Sequence, residues 1–90
     1  MPYIEQDQKD RINNAAFELY EYFGKGYDLT PGQFNYVVTQ LCLEYLDRKG
    51  MSYTTLNEIN GVLDSVAKEF YRRVVVPYED KKREENGDVY

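Results

Sequence analysis

From Leu56 onward apolar residues return at every third or fourth position: Leu56, Ile59, Leu63, Val66, Phe70 and Val74. That spacing matches the 3.6-residue turn of an α-helix and predicts one long amphipathic helix over residues 54–76, about 30 Å in length. Its start has two candidates. Ser52 is an adequate N-cap, while Thr55 with Glu58 forms a capping box one turn later. Its end is predicted at Pro77, which lacks an N–H and carries a ring that clashes with the preceding turn. Gly61 interrupts the run at a cost of about 1 kcal/mol relative to alanine. Either a neighbouring backbone approaches closely there or the glycine is simply tolerated.

The same period marks two earlier helices. Ile12, Ala15, Ala16, Leu19 and Phe23 draw one stripe over residues 7–23, closed by Gly24 and Gly26. The second helix opens on Thr30-Pro31-Gly32-Gln33, with an N-cap threonine, a proline at the first helical position and a glutamine at the third. Leu29 and Phe34 occupy the positions of a hydrophobic staple. Phe34, Val37, Val38, Leu41 and Tyr45 continue the stripe over 31–48, and Gly50 closes the helix. Short loops favour antiparallel neighbours. The predicted fold is therefore all-α, an antiparallel three-helix arrangement with a long third helix, burying Ile12, Leu19, Phe34, Val38, Leu41, Leu63, Val66 and Phe70.

Residues 1–77 read as a single helical domain and 78–90 as a charged C-terminal tail. Glu79 and Arg83 stand four apart and can pair on a short helical turn that Asn86-Gly87 would end. Apolar groups flank the charged run, so the tail is expected to dock through Val89 and Tyr90, with its carboxylate meeting Arg72 or Arg73.

Composition sharpens the picture where it bears on stability and partners. A chain of 90 residues makes one domain whose core is marginal without a further source of stability. One cysteine, Cys42, allows no intrachain disulfide and reads as a buried, inert thiol. Without histidine neither a histidine-based metal site nor Ser-His-Asp catalysis is available. Self-association is the remaining common route to stability, and ten tyrosines suit an interface, each offering a large contact area and a hydroxyl. A homo-oligomer, most simply a dimer built on the third helix, is expected. The net charge of −5 argues against direct nucleic-acid binding. No apolar run approaches the length of a membrane span and no signal-peptide pattern stands at the start, so a cytoplasmic location is expected.

Two constellations carry candidate chemistry. Glu18 and Glu21 on the first helix, and Glu44 and Asp47 on the second, form two pairs at i, i+3. Four carboxylates on facing helices can hold Mg²⁺. The arrangement resembles the acidic pairs of all-α nucleoside triphosphate pyrophosphohydrolases, which implies a metal that polarises a phosphate chain and activates water. With 16 acidic residues in the chain, a solvated helix face is the plainer reading. Tyr71, Arg72 and Arg73 form the compact cationic-aromatic cluster, suited to gripping a phosphate or stacking on a base. The plainer account is cations near a helix C-terminus, or ion pairs with acidic neighbours.

Whole segments add a resemblance. Met1-Pro-Tyr-Ile4, Pro31 to Tyr36, Tyr53 to Leu63, Glu69 to Asp80 and Glu85 to Tyr90 resemble a family of short proteins of tailed bacteriophages and their hosts, classed as a domain of unknown function. The resemblance implies a phage or prophage origin and a small helical protein, and carries over no site. The function expected is a non-enzymatic binding or regulatory protein acting on a host or phage protein. A Mg²⁺-dependent pyrophosphohydrolase using Glu18, Glu21, Glu44 and Asp47 is the alternative, and a nucleotide-sequestering protein using Tyr71, Arg72 and Arg73 is a further one.

Overall fold

The computed structural model describes residues 4–24 and 28–87. Those residues are all-α, as the periodicity predicts, and contain no strand. Helix α1 spans Gln6–Gly24, α2 Pro31–Lys49 and α3 Tyr53–Phe70; a π-helical turn, Tyr71–Val75, leads directly into α4, Val76–Asn86. The chain divides into two units, residues 1–40 and 41–90, the division falling within α2.

In the first unit the helix starts are built from local side-chain hydrogen bonds. The Gln33 N–H donates to Thr30 Oγ1 at 3.1 Å, and the Thr30 N–H donates to Gln33 Oε1 at 2.9 Å. This is the reciprocal capping box that the sequence predicts, and it satisfies two amides that a bare helix end would leave orphaned. At the start of α1 the Glu5 N–H reaches Gln8 Oε1 at 3.3 Å.

The second unit turns at Gly50. Its φ of +95° lies in the left-handed region that favours glycine, and its N–H donates to Leu46 O at 2.8 Å, closing α2. Ser52 then caps α3: its extended backbone lets Oγ accept the Thr55 N–H at 3.1 Å. The structure thus selects Ser52 over Thr55 as the N-cap, and Glu58 is left free of capping duty. Thr55 is buried beneath this cap.

Pro77 does not end the helix. The physical reason is the π-turn, in which the Val76 N–H donates to Tyr71 O, five residues back. The turn takes up one extra residue and restarts the α-helical ladder at Val76. Pro77 thereby falls in the first turn of α4, where a missing N–H is cheapest. Helix α4, Val76–Asn86, takes in the short helical turn expected within the tail and joins it to the helix before it. It ends where Asn86-Gly87 was expected to end it: Gly87 has φ +84°, and its N–H donates to Arg83 O at 2.8 Å. Arg83 reaches Asp80 at 2.6 Å. The expected docking of Val89 and Tyr90, and the role of Gly26, lie outside the described residues.

The predicted core is the main correction. Among the described residues no apolar side chain is buried. Ile12, Phe34, Leu41, Leu63, Val66 and Phe70 are exposed, while Leu19 and Val38 are half-buried. Cys42, expected to be buried, is also half-buried. Periodicity records which face of a helix seeks cover but not which molecule supplies it. Among the described residues of its own unit, Gly61 has no atom within 4 Å of the position a Cβ would take, so no close backbone approach within that unit explains it.

Candidate interaction surface

The candidate ligand cluster sits in the π-turn, where Tyr71, Arg72 and Arg73 follow Glu69 by two, three and four residues. Those intervals bring both guanidinium groups to one carboxylate. Arg72 Nη2 donates to Glu69 Oε1 at 2.7 Å, and Arg73 Nε donates to Glu69 Oε2 at 2.8 Å. The Glu69 carboxyl is held below its ordinary range, chiefly by the Arg72 hydrogen bond, with Arg73 adding to it. A phosphate seeking these arginines would have to displace Glu69. Sequence reading singled out the arginines but not their clasp, which was legible as an acidic residue at i−3 and i−4.

The acidic pairs stand on separate units. Glu18 and Glu21 project from α1. In the second unit Glu44 accepts from Arg48 Nε at 2.7 Å, so that member is already engaged, while Asp47 lies three residues further along α2. In neither unit do three or more carboxylate or thiol groups gather around a point that would hold a metal ion, among the described residues.

One cross-helix polar contact marks the second unit. Tyr45 Oη donates to Glu58 Oε2 at 2.7 Å, spanning the corner between α2 and α3. The Lys49 ammonium lies 5.7 Å from the Tyr45 ring centroid, a cation–π contact on the same side chain.

The largest feature is apolar. Along α3 and the π-turn, Leu63 is 39% exposed, Val66 57%, Phe70 58% and Val74 51%. Among the described residues no helix is long and apolar enough to cross a membrane.

Comparison with known proteins places the chain in a family. The description Domain of unknown function (DUF6899) matches residues 1–89. The chain belongs to this family. No curated protein and no solved structure matches it. The DUF6899 match takes in α1 to α4 together, so the exposed apolar faces and the Glu69 clasp all fall within one family unit.

Proposed function

We propose that this chain is a non-enzymatic interaction protein, phage- or prophage-encoded, that works by offering its apolar helical faces to a macromolecular partner. One observation carries the reading: every apolar stripe drawn by the helical period is present, yet among the described residues none of its side chains is buried. Burying such surface is worth about 25 cal/mol per Å², so the unmet area represents a strong drive to associate. The polar chemistry gives catalysis little support. The arginine cluster is clasped by Glu69, and Glu44 is engaged by Arg48.

The test combines thermal melts over a range of protein concentrations with dye binding to exposed apolar surface. The reading expects a melting temperature that rises with concentration, or marked dye binding by the isolated chain. A concentration-independent cooperative melt without dye binding would mean that the faces are closed internally, and would overturn it. The same melts run with nucleotides separate the other activities. Stabilisation only with Mg²⁺ would point to the pyrophosphohydrolase, and stabilisation without metal to nucleotide sequestration.

A further inference from the structure

We infer that Asn86-Gly87, at the C-terminal end of α4, is a self-modification site at which the folded chain converts an amide to a carboxylate without an enzyme. The inference is independent of the interaction reading above.

Two asparagines of the chain stand directly before a glycine, Asn60 before Gly61 and Asn86 before Gly87. That dipeptide is reactive because glycine has no Cβ to screen its amide nitrogen from the preceding side chain. In the reaction the Gly87 nitrogen gives up its proton to water and attacks Asn86 Cγ. An N–C bond forms and the Cγ–Nδ2 bond breaks, the side-chain amide leaving as ammonia. Water then opens the cyclic imide at either carbonyl. One opening leaves an aspartate at position 86, and the other routes the backbone through the side chain as isoaspartate. Water is the sole co-reactant, nothing is oxidised, and the chain gains one negative charge.

The fold sets the two sites apart. Ring closure needs the asparagine ψ to leave its helical value of about −42° and the glycine N–H to release its acceptor four residues back. Gly61 lies in the middle of α3, Tyr53–Phe70, so both changes require opening a helix from its centre. Asn86 is the last residue of α4, and the bond from the Gly87 N–H to Arg83 O, at 2.8 Å, closes the ladder over it. Gly87 has φ +84° and ψ 157°, so the chain has already left the helix there. Fraying of such an end is the least costly opening a helix makes. Both sites lie in the second unit, so the contrast is local to it.

The product alters the end on which it forms. A carboxylate at position 86 stands beside the last carbonyls of α4, where the helix dipole disfavours negative charge. Isoaspartate lengthens the backbone just before the capping N–H. The conversion therefore loosens the end of α4, and refolding does not reverse it.

The full chain held in mildly alkaline buffer tests the inference. Samples are followed by anion-exchange chromatography and by mass mapping of tryptic peptides 50–68 and 84–90, which carry the two sites separately. A growing acidic species is expected, with conversion at Asn86 at least about 10-fold faster than at Asn60, as a fraying end opens more often than a helix centre. In denaturant the two rates should converge. Asn86→Gln, whose longer side chain closes a less favourable ring, should remove most of the acidic species while leaving the helical ellipticity unchanged. Equal rates at the two sites in the folded chain would overturn the inference. So would an Asn86 that keeps its amide while the denatured chain loses it, a rate gap that persists in denaturant, or an acidic species that grows undiminished in Asn86→Gln.

Discussion

Tyr45 and Glu58, thirteen residues apart, share a 2.7 Å hydrogen bond across the corner that Gly50 makes between α2 and α3. The proton they share raises the Tyr45 phenol above its ordinary value of 10.0, first through the Glu58 hydrogen bond, then through desolvation and the charge of Glu58. A tyrosine raised in the folded state contributes stability that is fully present below pH 10 and is lost as the pH climbs through the folded value. Phenolate absorbance should therefore show one tyrosine ionising later than the rest. Tyr45→Phe should remove that late step, and Glu58→Gln should move it to lower pH.

Glu69 gives the opposite dependence. Its carboxyl lies below 4.5 because Arg72, and then Arg73, favour the charged form. Its contribution is present above pH 4.5 and is lost as the pH falls through the folded value. Helical ellipticity should show an acid step in that window that is smaller in Glu69→Gln. At neutral pH the same substitution should free both guanidinium groups and increase binding of inorganic phosphate, measured by calorimetry.

Ser52 holds the first turn of α3 and covers Thr55, which is 6% exposed. Ser52→Ala should cost about 1 kcal/mol, while Ser52→Gly should cost only a few tenths. Chemical denaturation followed by circular dichroism measures both.

Gly61 lies on the face of α3 opposite Leu63, with open space where a Cβ would stand. Gly61→Ala should therefore stabilise by about 1 kcal/mol through helix propensity alone. A loss of stability would mean that another molecule packs closely against this outer face.

The parts of this fold that are local in sequence were legible in it. Thr30 and Gln33 announce their capping box within four residues, and Gly50 and Asn86-Gly87 mark helix ends that backbone φ angles bear out. Each of these signals depends on bonds between near neighbours. Pro77 misled because its effect depends on the hydrogen-bond ladder it enters. A proline breaks a continuous i→i−4 ladder, but it fits one that a π-turn has just restarted. The core misled for another reason. Phe34, Leu41 and Phe70 are spaced as buried residues are, and spacing is indifferent to whether cover comes from the same chain. In the candidate site, the arginines of the π-turn stand out by charge, and their clasp is legible too, because Glu69 lies three and four positions before them on the same predicted helix. For Tyr45 and Glu58, no sequence signal specified the bond across the corner.

The π-turn also sets where the long C-terminal helix opens to solvent. Pro77 donates no amide hydrogen bond, and the adjoining turn bonds over five residues instead of four, so the ladder is thinnest between residues 71 and 77. Amide hydrogens there should exchange with deuterium sooner than those in the middle of α3, which leaves a fast-exchanging window inside an otherwise protected helix. The helix then behaves as two protected rods with a yielding joint, and bending at that joint would re-aim α4 while the α-helical hydrogen bonds on either side stay closed.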